Sequence, residues 1–388
     1  MTPWSRRPAV EVFAVDGSSV QLTWRNLRPG RLRLSFPDLG ERADLVVDVD
    51  GGVGAALLGD LPAGRLLHLD ASGTALGSQR RRLLLRTLDR LPGEELYRLA
   101  TISDLHLGAR SFGHRGTIVE RPPPAVPHPR RCSQAALDEA VAWGAERMVV
   151  KGDVTNAGVA DHWRQYATMV ASCAVPVDAV AGNHDNAHPL VPYSLTAHNA
   201  ALAFDLSIAE PMLVRDLPGL RLVLADSTLP GRNTGSLGPT TDDVLDAVAQ
   251  ADPAGGVLLV LHHQLQPHRL AEGWPLGISH DESVSLMERL GRAHPHVVVT
   301  SGHTHRHRRW GHAGVVATQV GATKDFPGVW AGYTVHEGGL RQTVRRVARP
   351  DCLAWTDHTR RAALGLWGHI AIGRLDARCF NVAWSVTP

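Results

Sequence analysis

The chain has 388 residues, of which 44% are hydrophobic and 20% charged, and its formal net charge is +2. Such a chain can bury a sizeable core without disulfide support and has room for two domains. Its charge is too small to imply a nucleic-acid or membrane partner. Four cysteines, Cys132, Cys173, Cys352 and Cys379, form no Cys-x-x-Cys pair. That argues against a zinc finger and a disulfide framework and makes reduced thiols in a cytoplasmic protein the expectation. Residues 1–15 lack the apolar run of a signal peptide. The apolar stretch 362–372 is about half a membrane span and carries His369, so no anchor is expected. The basic residues are almost all arginine, Lys151 and Lys324 being the only lysines, and the cluster Arg80, Arg81, Arg82 and Arg86 reads as a solvated strand edge.

Residues 1–93 read as an all-β sandwich-like module. Short β-branched or alternating segments at 10–15, 19–24, 31–36, 43–49, 66–69 and 82–88 are punctuated by Gly, Pro and Asp. Their rhythm and the turn Gly59-Asp60-Leu61-Pro62-Ala63-Gly64 loosely resemble a fibronectin type III module, expected to contact the rest of the chain or another protein. Leu91-Pro92-Gly93 is the linker. Residues 94–348 then alternate apolar strands (96–102, 147–150, 175–180, 220–224, 256–261 and 297–299) with helices. Leu137, Ala140, Val141 and Gly144 fall at helical spacing, as do Trp163, Tyr166, Ala167 and Val170, and 242–249 and 282–290 are helical too. This alternation predicts α/β layers, a buried sheet flanked by helices. The insertion 108–131 holds Pro122, Pro123, Pro124, Pro127 and Pro129 and is expected to be irregular, either a substrate-selecting lid or a loop without effect on catalysis. Residues 349–388 are a C-terminal extension of open role.

Metal-ligand residue types follow five of the apolar strands. They are Asp104-Leu105-His106, Gly152-Asp153, Gly182-Asn183-His184-Asp185, His262-His263 and Gly302-His303-Thr304-His305. Strands of one open α/β sheet share a carboxyl edge, so these side chains should meet in one crevice. Glycine before a ligand permits a tight backbone approach. A carboxylate such as Asp153 can bridge two cations, while Asn183 offers a neutral oxygen.

In this order the five motifs resemble those of the calcineurin-like metallophosphoesterases over residues 97–335. Ala225-Asp226-Ser227-Thr228, Pro230-Gly231, Gly235-Ser236-Leu237 and the doubled His262-His263 are similar to the class III cyclic nucleotide phosphodiesterase branch. The resemblance implies two divalent or mixed-valence metal ions. One would be held by Asp104, His106, Asp153 and His305, the other by Asp153, Asn183, His262 and His303. It also implies a bridging hydroxide as nucleophile, His184 as general acid and Asp185 orienting His184. Oxygen and imidazole donors without thiolate suit manganese, iron or zinc, and manganese activation is expected.

Departures from the pattern are Asn156 in place of aspartate, Gln264 after the paired histidines, and Lys151 before Gly152-Asp153, read as facing away from the crevice. His114, His128, His162, His188, His268, His280, His307 and His312 lie outside the motifs and read as surface or structural, with His263 beside the ligands. The leading expectation is a phosphodiesterase acting on a small phosphoester, cyclic nucleotides included. The alternatives are a phosphomonoesterase, a nuclease (without a visible basic stripe or stacking set) and a non-catalytic scaffold that recruits a partner.

Overall fold

The computed structural model describes residues 7–40, 44–186, 194–269 and 275–384. Two six-stranded sheets stack face to face with helices on their outer sides. One runs in the order Val177–Val180, Arg147–Lys151, Glu95–Ile102, Val329–His336, Gly339–Arg346, Cys379–Ala383. Its first three strands are parallel and the rest antiparallel. The other runs Met212–Leu217, Leu220–Ala225, Gly256–Val260, Val297–Ser301, Val315–Gln319, Arg308–His312, with four parallel strands between antiparallel edges.

Strands buried on both faces read as unbroken apolar runs, and Val257-Leu258-Leu259-Val260 illustrates why. Leu258 and Val260 enter the core between the sheets, while Val257 and Leu259 pack under the helices Thr241–Ala249 and His280–Ala293. The second helix starts at Ser279, whose hydroxyl accepts the Glu282 backbone N–H. On the opposite outer face, His128–Ala142 and Ala160–Ala171 cover Ala100, Ile102, Met148 and Val150. The layered α/β expectation holds, with two sheets where the alternation suggested one.

The N-terminal residues form two antiparallel sheets, Ala9–Val15, Val20–Leu27, Gly52–Leu58 and Leu45–Val49, Gly30–Ser35, Leu66–Ser72, Arg81–Arg86. Leu32, Leu34, Leu67 and Leu69 alternate inward, and their core is continuous with the one between the large sheets. The contact with the rest of the chain also has a polar seam. Asp16 pairs with Arg341 at 3.0 Å and Arg345 at 2.7 Å. Gln21 exchanges two 2.8 Å hydrogen bonds with the Arg346 backbone. Burial would raise the Asp16 carboxyl, but the two guanidinium groups hold it below the usual carboxylate range.

Two expectations change. The proline-rich stretch 108–131 is not irregular throughout: it holds a small hairpin of Ser111–Phe112 with Ile118–Val119, and the helix His128–Ala142 begins inside it. Pro129 sits in that helix's first turn, where a backbone N–H has no intrahelical acceptor, so its missing donor costs nothing. The C-terminal extension is built into the fold, its helix Pro350–Thr359 lying on His128–Ala142 and its strand Cys379–Ala383 closing a sheet edge. Residues 385–388 and His188 lie outside the described residues. The four cysteines are free, and no helix among the described residues is long and apolar enough to cross a membrane.

Candidate metal centre

The five motifs converge. Asp104 and His106 follow Glu95–Ile102, Asp153 follows Arg147–Lys151, and Asn183 follows Val177–Val180, all in one sheet. His262 follows Gly256–Val260, and His303 and His305 follow Val297–Ser301, in the other. The residues therefore meet where the carboxyl ends of two stacked sheets face each other.

To turn back into the cleft, the chain takes left-handed backbone at Asp104 (φ 55°), His106 (47°), Asp153 (48°), His303 (65°) and His305 (54°). Each such non-glycine residue costs on the order of 1–3 kcal/mol. Hydrogen bonds between loops hold them there. Asp104 N–H donates to Gly152 O at 3.1 Å, His106 N–H to Asp153 O at 2.8 Å and Gly302 N–H to His262 O at 3.0 Å. Glycine at 302 is a packing requirement, because a Cβ there would lie 1.9 Å from Ser103 Oγ and 2.7 Å from the Asp104 carboxylate.

Asp153 stands in the middle. Its Oδ2 is 3.4 Å from His106 Nε2 and its Oδ1 3.4 Å from His262 Nε2. Asp104 Oδ1 lies 3.4 Å from His305 Nε2. His262 Nε2 is 3.2 Å from both Asn183 Oδ1 and His303 Nδ1. Asp104, His106 and His305 form one group able to hold an ion, and Asp104, Asp153 and His262 another. Further groups take in His184 with His106 and Asp153, and His263 with His262 and His303.

The donor set fits cations. Both ring nitrogens of buried His106 lack a hydrogen-bond partner. Burial works against a charged imidazole, yet Asp153 and Asp104 push His262 up to about 9, and Asp325 and Asp104 push His305 up to about 10. The carboxylates thus draw positive charge onto rings that would otherwise ligate. His303 is instead lowered to about 4 by burial and by His262, although Asp153 and Asp104 pull it upward. The remaining ring nitrogens are fixed from behind. His262 Nδ1 faces Lys151 O at 2.8 Å, His303 Nε2 faces Leu276 O at 3.2 Å, and His305 Nδ1 faces Asp325 Oδ2 at 2.6 Å.

His184 is exposed at the rim, its ring 4.6 Å from His106 and its backbone N–H donating to Asp153 Oδ1 at 2.9 Å. The sequence reading had Asp185 orient this ring. The structure corrects that: His184 Nδ1 faces the Asn156 carbonyl at 2.9 Å. Asp185 is fully buried and accepts from Val154 N (3.0 Å), Thr155 N (2.8 Å), Gly182 N (2.9 Å) and Thr155 Oγ1 (3.0 Å). It clamps the Asp153 loop to the Asn183 loop. Burial and Asp153 raise its carboxyl to about 6 against those donors.

Lys151 lies buried between the sheets, donating to Ser301 O at 2.9 Å and Thr300 Oγ1 at 3.2 Å, and His263 Nδ1 bonds Ser227 Oγ at 2.9 Å. His114, His128, His162, His268, His280, His307 and His312 belong to no ion-holding group among the described residues.

Asp325 escaped the sequence reading, since it sits in no motif. A carboxylate behind a ligating histidine fixes its tautomer, and its loss costs ~10–100-fold in metal affinity. Asp325→Asn is therefore expected to weaken metal binding by about that factor in calorimetric titration of the apo-protein. Unchanged affinity would remove Asp325 from the site.

The calcineurin-like phosphoesterase family matches residues 97–307. A "Probable cyclic nucleotide phosphodiesterase" of Rhodococcus erythropolis is 29% identical over 34% of this chain and 43% of its own length. A "3′,5′-cyclic adenosine monophosphate phosphodiesterase CpdA" of Pseudomonas aeruginosa is 29% identical over 35% and 46%. The chain thus spans less than half the length of these relatives. Among solved structures, the purple acid phosphatase PPD1 of yellow lupin matches 88% of this chain and 73% of its own at 14% identity and a TM-score of 0.47. With more than half of its residues matched, all five motifs among them, the chain belongs to the calcineurin-like phosphoesterase family.

Proposed function

We propose that this protein is a metal-dependent phosphodiesterase that uses two cations and acts in the cytoplasm on small phosphodiesters, cyclic nucleotides among them. The observation that carries the reading is Asp153, whose two oxygens each face a histidine from a different ligand group. Asp104, His106, Asp153 and His305 would hold one ion, and Asp153, Asn183, His262 and His303 the other. Manganese, iron or zinc suits these donors. Bound there, paired cations would supply an activated water and neutralise charge on the phosphoryl group.

The chain's own residues do the rest. The Asn156 carbonyl keeps the proton of His184 on Nδ1, which turns Nε2 toward the crevice to act on the leaving oxygen. Asp185 keeps Asp153 and Asn183 in register. Relatives named as cyclic nucleotide phosphodiesterases support the substrate class. We place the domain boundaries near 93 and 348, with the N-terminal sheets acting as a packing partner of the strand Gly339–Arg346.

The test is the purified chain with manganese, iron or zinc, assayed on bis(4-nitrophenyl) phosphate, 4-nitrophenyl phosphate and 3′,5′-cyclic AMP. Diester turnover that vanishes on chelation and returns with metal is expected. Absence of turnover with every metal would overturn the reading.

A further inference from the structure

The chain has two lysines, both buried and both at the metal centre, but they are used differently. Lys151 donates to Ser301 O and Thr300 Oγ1 from between the sheets, which is how a structural lysine spends its charge. Lys324 is 7% exposed, and its ammonium makes no hydrogen bond or ion pair among the described residues. The ammonium lies 5.6 Å from the centre of the Phe112 ring.

The backbone around it is pinned to the site on both sides. Thr323 N–H donates to Ser103 O at 3.1 Å, beside Asp104. Asp325 is engaged with His305, and the Lys324 carbonyl accepts the Trp355 indole N–H at 2.6 Å. Burial lowers the ammonium below the usual lysine value, while Asp325, Asp104 and Asp153 pull the other way. An uncommitted cation beside the carboxylates that would hold metal is placed to meet an anion.

Resting on the proposed phosphoesterase function, we propose that Lys324 contacts substrate, taking the additional anionic oxygen of a phosphomonoester, so that the site hydrolyses monoesters as well as diesters. A diester carries one negative charge on the scissile phosphate, whereas a monoester carries nearly two at neutral pH. The third cation answers that difference. In the reaction the oxygen of water bonds to phosphorus and the ester P–O bond breaks. One water proton ends on the departing alcohol, and inorganic phosphate leaves.

The test compares the metal-loaded full chain with Lys324→Met and Lys324→Gln on 4-nitrophenyl phosphate and bis(4-nitrophenyl) phosphate. The monoester kcat/KM should fall by about 10²-fold and the diester value by no more than about tenfold, the scale of one lost oxyanion contact. Calorimetry should show inorganic phosphate binding more than about tenfold weaker, with metal content unchanged. Equal losses on both esters, or no monoester turnover by the wild-type chain while diesters are cleaved, would overturn the proposal and leave the phosphodiesterase reading standing.

Were neither ester cleaved, that reading would fail, and phosphate calorimetry would still decide whether Lys324 meets an anion. If both variants failed to fold, the wild-type protein would decide by itself. It should bind phosphate more tightly than singly charged dimethyl phosphate, and equal affinities would overturn the assignment.

Discussion

Asp153→Ala is expected to remove phosphoester turnover, with kcat/KM falling by about 10³-fold or more. Metal chemistry contributes several kcal/mol of transition-state stabilisation, at ~1.4 kcal/mol per tenfold. The size of the effect follows from position. One carboxylate faces His106 with one oxygen and His262 with the other, so in the proposed two-cation site its removal would take a ligand from both ions. Its Oδ1 also accepts the His184 backbone N–H at 2.9 Å, so the rim histidine loses an anchor. Metal analysis should find well under two equivalents bound. A variant that kept two ions and full rates would sink the two-cation assignment. The exchange also takes a negative charge away from His262, so loss of metal, and not global unfolding, should dominate; thermal denaturation separates the two.

His184→Ala should behave differently. General acid catalysis contributes ~10²–10⁴-fold, and turnover should fall by that order while both ions stay bound. The ring stands within reach of His106 and Asp153, but a backbone carbonyl holds it at the rim, and the proposed ligand sets are complete without it. The dependence on leaving group identifies the role. An ester of 4-nitrophenol, whose anion departs readily, should lose less than an alkyl ester, which needs the proton. Equal losses for the two would show that His184 steadies the phosphate and does not protonate the leaving oxygen.

The residues that meet in the cleft were legible because each is a polar side chain placed directly after an apolar run, and strand ends gather at one edge. What supports them was not. Asn156 acts through its backbone carbonyl, which every residue possesses, so its side chain carries no sign of the contact. Asp325 lies in Thr323-Lys324-Asp325, without spacing to any other ligand, and only the fold brings it to His305. The resemblance implies that Asp185 orients His184, whereas the turn points its carboxylate at three backbone donors of two loops.

Among the strands, Gly52–Leu58 went unseen because Gly52 and Gly54 break the β-branched signal, although it pairs with Val20–Leu27 along most of its length. Gly54 is needed there, since a Cβ would press within 2.4 Å of the Trp24 ring. The helix His128–Ala142 was expected to start later because five prolines precede or open it, and only the last stands where a helix tolerates one. The second sheet was hidden for another reason. Periodicity reports that a strand is buried on both faces, but not whether its cover is a helix or another sheet.

The polar seam beside the N-terminal sheets has a consequence for how the molecule is made. Arg378 donates to Phe13 O at 3.0 Å, Val15 N–H reaches Cys379 Sγ at 3.4 Å, and Asp16 waits for Arg341 and Arg345. The partners are 325 to 365 positions apart. A ribosome adding ~5–20 residues per second needs roughly 15–70 s to deliver the second member of each pair. Until then the early strands have no permanent seat, and their apolar faces depend on one another or on a chaperone. Docking of those strands is therefore a late event, completed when the edge strand Cys379–Ala383 has been made.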